Sequence, residues 1–166
     1  MENRTINIES LLEATKLYFT GTQEEKNVLM HKMFKEQPAL LEFIGFLDGE
    51  FEHQPTKVII LQLIMIFYHA ISLQKIKMAK IPFSDFLASI ANNIKMKDYY
   101  DDPDEVFDVN TFKEFFENYP QKEILQYTNT ALSVQYQNYI TDEQEASRIF
   151  YMMKIFGEVV DQNIIE

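Results

Sequence analysis

The segment 98–108 is the one place in this chain where the types and spacing of side chains suggest chemistry. It holds six carboxylates within eleven residues: Asp98, Asp101, Asp102, Asp104, Glu105 and Asp108. Hard divalent cations such as Mg²⁺ and Ca²⁺ prefer oxygen ligands of this kind, so these six residues are candidate metal ligands. They support one alternative function, a small divalent-metal-dependent enzyme that works through this acidic run.

Two known metal-binding motifs can be compared with the acidic run. Residues 101–105 read DDPDE, the letters of the DDxx(D/E) motif with which isoprenoid synthases hold Mg²⁺ and a diphosphate. A matching second acidic motif is absent, and the chain has only two arginines, Arg4 and Arg148, to receive a diphosphate. No register supplies the oxygen ligands, Gly and Glu of a calcium-binding EF-hand loop. The acidic run therefore lacks the partners that either motif needs.

A helix start explains the same residues more simply. Asp102 suits an N-cap, Pro103 suits the first helical position, and Asp104 and Glu105 suit the next two. There, acids meet free backbone N–H groups and the positive end of the helix dipole. We therefore predict a helix cap in a solvated loop, with cation binding as the alternative.

Other catalytic signatures are weak. Glu50 and His53 form a single Glu-x-x-His pattern, whereas di-iron bundle proteins carry two copies. His69 follows Tyr68 in an apolar segment and is predicted to be a buried, hydrogen-bonded imidazole, while His31 should be exposed. The chain has no Cys, and it lacks a Gly-x-Ser-x-Gly turn or a Gly-rich phosphate loop. We therefore expect no cofactor and favour a soluble binding or scaffold protein over an enzyme.

We expect helices to position these side chains. Helix-capping residues and apolar residues at three- and four-residue steps recur along the chain, and no segment shows the alternation of apolar and polar residues typical of a strand. Residues 22–25 and 141–144 match capping boxes, and Gly21 and Gly49 suit positions just past a helix end. Four prolines suit first helical positions: Pro38, Pro55, Pro103 and Pro120. The predicted helices cover residues 8–20, 23–36, 38–48, 55–77, 84–97, 103–108, 111–119, 120–140 and 142–164.

The helix predicted at 55–77 is apolar nearly all round from Val58 to Phe67, which predicts a central position. We therefore expect an all-α, compact single-domain bundle, residues 1–166, with about seven to nine helices around this central helix. Residues 58–73 are too short and too polar for a membrane span, which needs about 20 mostly apolar residues. With no secretory signal near Met1, a cytoplasmic location without membrane contact is the default expectation.

The net charge of −11 is unevenly divided. Residues 1–83 carry 10 acids and 9 Lys or Arg, whereas residues 84–166 carry 16 acids and 6 Lys or Arg. Because such a surface repels phosphate backbones, we expect no nucleic-acid partner. The acidic half is interpreted as a solvated surface, with an acidic immunity- or inhibitor-type protein that neutralises a basic target as a further alternative. The one basic cluster comprises Lys75, Lys77, Lys80, Lys95 and Lys97.

Two segments could form surfaces for a protein partner. Gln126–Ile140 carries no formal charge over fifteen residues, and neutral polar groups cost less to desolvate than Lys or Glu. An exposed or internally packed polar helix is the favoured interpretation of this segment. The last helix has apolar residues on more than one side, so it is either deeply buried or part of an interface. We favour burial, and therefore a monomer slightly over a homodimer.

Overall fold

A computed structural model of the chain describes residues 5–50, 54–94, 117–140 and 143–165. These residues form seven α-helices and no strand, which confirms the all-α compact fold and a helix number close to that predicted. The helices are α1 (Ile8–Thr20), α2 (Gln23–Glu36), α3 (Ala39–Glu50), α4 (Gln54–Leu73), α5 (Phe83–Asn92), α6 (Lys122–Val134) and α7 (Glu143–Gln162).

Helix α4 lies at the centre, in contact with α1, α2, α3 and α7. Its buried side chains face several directions, as the sequence pattern predicts: Thr56, Ile59, Ile60, Leu63, Ile64, Met65, Ile66, Phe67, Tyr68, Ala70 and Ile71. Val58 is an exception, because half of its surface is exposed. Among the described residues α4 is the one helix long and apolar enough to cross a membrane, yet 61% of its most apolar window is buried inside the protein.

Helix α4 ends earlier than predicted, at Leu73 rather than at residue 77. Lys75 adopts a left-handed conformation with φ of 56°, which breaks the helical path. The chain then pairs with the carboxyl-terminal segment through an antiparallel bridge between Met78 and Ile164. This pairing joins residues far apart in sequence, so no local sequence pattern predicts it.

Helix α7 is buried over most of its length, which confirms the favoured interpretation of the last helix. Every residue from Ile149 to Gly157 is buried, Met152 among them. Helices α4, α5 and α6 all pack against it. The excess of apolar side chains on α7 is therefore buried within the fold of the chain itself.

Some helix ends agree with the local sequence signals, and others do not. Residues 22–25 form the predicted capping box: Glu25 N–H donates to Thr22 Oγ1 at 3.2 Å, and Thr22 N–H donates to Glu25 Oε2 at 2.7 Å. Gly21 lies just past α1, where a Cβ would approach Leu17 O to 2.8 Å. The prediction for Gly49 is wrong, because this residue lies inside α3.

Helices α5 and α6 are shorter than predicted. Helix α5 ends at Asn92 rather than at residue 97, and α6 runs from Lys122 to Val134 rather than over 120–140. Pro120 therefore precedes the helix by two residues instead of starting it. Beyond Val134 the chain turns, and Tyr136 is buried with its hydroxyl donating to Gln62 Oε1 at 2.9 Å. This tertiary hydrogen bond competes with continuation of the helix.

Several sequence predictions lie outside the described residues. They include the whole acidic run 98–108 with its six candidate metal ligands, the helix predicted at 103–108 and most of the one predicted at 111–119. His53 of the Glu-x-x-His pattern, Lys95, Lys97 and the start of the second capping box at 141–142 are also outside.

Candidate functional site: a neutral groove between two helices

A groove of about 290 Å³ opens between α1 and α6. Its α1 wall is mostly apolar, and its α6 wall combines neutral polar side chains with the apolar Ala131 and Val134. The lining residues are Ile8, Leu12, Thr15, Gln126, Tyr127, Thr130, Ala131, Val134 and Gln135, none of which is charged. We call this surface the neutral groove.

The α1 wall arises from a second apolar stripe on that helix. Leu11, Ala14 and Tyr18 form the buried stripe that packs on the core. Ile8 and Leu12 lie on the neighbouring face of the helix. Both side chains are exposed, and Leu12 has 58% of its surface exposed. Residues four apart lie on the same face of a helix, so these two side chains form a continuous apolar edge.

The floor of the groove is a hydrogen-bonded pair. Thr15 Oγ1 lies 2.6 Å from the hydroxyl of Tyr127, and it donates its own proton to Leu11 O at 2.6 Å. Tyr127 therefore donates to Thr15. Burial raises the pKa of Tyr127 above its ordinary value of 10.0, so the phenol stays neutral. The floor of the groove therefore presents two neutral hydroxyl groups that are hydrogen-bonded to each other.

The α6 wall belongs to the uncharged segment 126–140 that sequence analysis singled out. One side of α6 packs inward through residues that include Ile124, Leu125 and Leu132. The opposite side is exposed from Gln126 onward, and Val134 has 63% of its surface exposed. The segment is thus both a packed helix and a neutral surface.

A buried polar network lies between α5 and α7, away from the groove. Lys154, 3% exposed, donates to Glu158 and to Asn93 Oδ1. Glu158 Oε2 also accepts from Ser89 Oγ at 2.6 Å and from Asn93 Nδ2 at 2.8 Å. Each polar side chain of the network has hydrogen-bond partners within the protein, so the network holds α5 against α7.

This network was not predicted from the sequence, although one signal for it was present. Lys154 interrupts the apolar run from Met152 to Phe156, and Glu158 follows four residues later on the same helix. A cation inside an apolar run with an acid at this spacing indicates a buried ion pair. Its partners on α5 carried no such signal, because they are distant in sequence.

The histidines separate into different environments. His31 is exposed, as predicted. Among the described residues, the prediction of a buried, hydrogen-bonded His69 is not met: His69 is half-buried, and its enclosed Nδ1 has no hydrogen-bond partner in this part of the chain. Within the residues that the structure describes, no group of three or more His, Cys, Asp or Glu side chains is arranged to hold a metal ion.

Comparison with known proteins gives no relative: no family model, no curated protein and no solved structure matches this chain.

Proposed function

We propose that this protein is a helical binding protein whose neutral groove takes an amphipathic helix from a partner protein. The observation that carries the proposal is the exposure of Leu12 and Val134, 58% and 63%, on opposite walls of one uncharged groove. Large apolar side chains gathered at a concave surface mark contact sites more often than singly scattered ones do. Binding would remove this apolar surface from water.

The shape of the surface favours a helix as the occupant. Its two walls are helices, and the described residues include no strand whose free edge would accept an extended peptide. On α1 the apolar stripe continues from Ile8 and Leu12 to Phe19, which is 48% exposed. These positions span roughly 16 Å of helix, the length of about three turns. A partner helix of that length would place apolar residues at three- and four-residue steps along the groove.

Charge supports a partner with basic residues flanking its apolar face. The groove itself is neutral, but the chain carries a net charge of −11. Glu9 and Glu13 lie exposed on α1, on the side that faces solvent. A basic segment would be drawn to this surface, while its apolar face meets the groove without desolvating a charge. The metal-dependent enzyme remains the alternative, and it depends on the acidic run 98–108.

Capture from native host extract tests the proposal with three baits. Wild-type protein is compared with Leu12→Glu, which places a charge in the groove, and with Val28→Glu, which adds the same charge at an exposed position of α2, 64% exposed. The proposal expects a partner that wild type and Val28→Glu retain and Leu12→Glu loses. A partner retained equally by all three baits would place the binding surface elsewhere.

A further inference from the structure

A second cavity, of about 360 Å³, lies between the end of α1, the start of α2 and His69 of α4. It is separate from the neutral groove. Three helices contribute its lining, which mixes apolar, aromatic and charged side chains: Leu17, Tyr18, Thr20, Gly21, Glu25, Lys26, Leu29 and His69. A volume of this size is in the range of small-ligand sites.

The ammonium group of Lys26 is the distinctive polar group of this cavity. Its Nζ lies 5.0 Å from the centre of the Tyr18 ring, and the side chain is half-buried. Within the described part of the chain, no carboxylate lies within salt-bridge distance of Lys26. Helix stability does not explain a cation here, because Lys26 lies near the start of α2, where the dipole disfavours positive charge. The site therefore holds a cation that no anion of the described residues neutralises.

Glu25, the one acid of the lining, is already engaged elsewhere. Its Oε2 accepts from Thr22 N–H in the capping box. These hydrogen bonds from Thr22 lower the pKa of Glu25, so it remains ionised as part of the helix cap. The negative charge of Glu25 is thus fixed at the helix start rather than at Lys26.

His69 supplies the second independent observation. Its Nδ1 is enclosed and makes no hydrogen bond with the described residues, although the imidazole lines the cavity. Burial, and secondarily the charge of Lys32, lowers the pKa of His69, while Glu13 opposes that shift. An enclosed polar atom without a partner is costly, and native proteins usually pair such an atom with a ligand, an ion or a water molecule.

We propose that this cavity binds a small carboxylate with an apolar body. The carboxylate would pair with Lys26, and the apolar body would lie against Leu17, Leu29 and the Tyr18 ring. The cavity of about 360 Å³ has room for about twelve non-hydrogen atoms, since water occupies about 30 Å³ per molecule in the liquid. Phenylacetate has this size and chemistry and serves as the probe, and phenylacetamide serves as its neutral counterpart of nearly the same shape.

Nuclear magnetic resonance titration of the full chain with both compounds tests the proposal. We expect phenylacetate to bind with a Kd of about 1 mM, as suits a ligand of this size, and to shift the signals of His69 and of the Leu17 and Leu29 methyl groups. Phenylacetamide should bind at least about tenfold more weakly, because it cannot pair with the ammonium group. Lys26→Met should weaken phenylacetate binding by a similar factor and leave the affinity for phenylacetamide unchanged.

Lys16→Met is the matched control, because Lys16 is exposed on α1 and does not line the cavity. It should bind phenylacetate like wild type. Equal affinity for the two compounds, or equal loss in both lysine variants, would overturn the proposal. Should Lys26→Met lower the melting temperature, nuclear Overhauser contacts in wild type decide instead. Contacts between the phenylacetate ring and the methyl groups of Leu17 and Leu29 support the site, and their absence overturns it.

Discussion

Gly157 of α7 lies directly against the hydroxyl of Tyr119. A Cβ at position 157 would meet Tyr119 Oη far inside van der Waals contact. That hydroxyl donates to Lys154 O at 2.5 Å. Burial is the largest cause that raises the pKa of Tyr119, so the phenol stays protonated and keeps donating. The missing side chain of Gly157 thus makes room for a hydrogen bond that ties residue 119 to α7.

Gly157→Ala should therefore destabilise the protein by about 2 kcal/mol through overpacking. Tyr119→Phe removes the oxygen that the new Cβ would meet, at a cost of about 1 kcal/mol for the lost hydrogen bond. The two changes together should cost less than their sum, and urea unfolding of the four proteins measures the difference. Additive costs would mean that the Gly157 effect does not pass through Tyr119.

The central position of α4 predicts a strong dependence on where a charge is placed along it. Ile64 has no exposed surface, so Ile64→Asp should abolish cooperative folding by burying an unpaired carboxylate. Val58 is 50% exposed on the same helix, so Val58→Asp should leave a cooperative thermal transition. Circular dichroism melts compare the two, and a native-like melt for Ile64→Asp would refute the central placement.

The buried network between α5 and α7 should be sensitive to loss of its carboxylate. Glu158→Leu removes the acceptor that Lys154, Ser89 and Asn93 share, and we expect it to cost about 3 kcal/mol. Ser89→Ala removes one donor and leaves the ion pair, so about 1 kcal/mol is expected. Guanidinium unfolding ranks the two variants, and a Ser89→Ala cost equal to that of Glu158→Leu would contradict the role of the ion pair.

The capping box makes stability depend on pH with a definite sign. Hydrogen bonds from Thr22 lower the pKa of Glu25 below its ordinary value of 4.5 in the folded state. Its contribution is therefore present above pH 4.5 and is lost as pH falls through the lowered folded-state value. Thermal melts at a series of pH values should show that the stability difference between wild type and Glu25→Gln shrinks in this acidic range. A difference that grows on acidification would contradict the cap.

Local signals in the sequence predicted much of the fold. The bounds of α1 and α2 agree with expectation, because Gly21 ends α1 and Thr22 begins α2 through contacts within a few residues. The centrality of α4 and the burial of α7 followed from how much of each helix surface is apolar. In each case the information lies within the segment itself.

Features that depend on distant residues were not predictable in this way. Helix α6 ends where Tyr136 turns to reach Gln62, and Lys154 is buried because Asn93 and Glu158 surround it. The sequence showed that residues 126–140 are uncharged. It did not show that Leu12 of α1 forms the opposite wall of the groove. Such pairings arise only when the helices pack.

Binding of a model helix is the measurement that tests the proposed function most directly. The probe is a labelled peptide of about twelve residues, with leucines at three- and four-residue steps and lysines elsewhere, and fluorescence anisotropy reports its affinity. Leu12→Glu and Val28→Glu change the net charge equally, so general attraction between opposite charges cancels between them. We predict that Leu12→Glu weakens binding at least about tenfold while Val28→Glu matches wild type. Equal affinity of the two variants would contradict the neutral groove as the binding site.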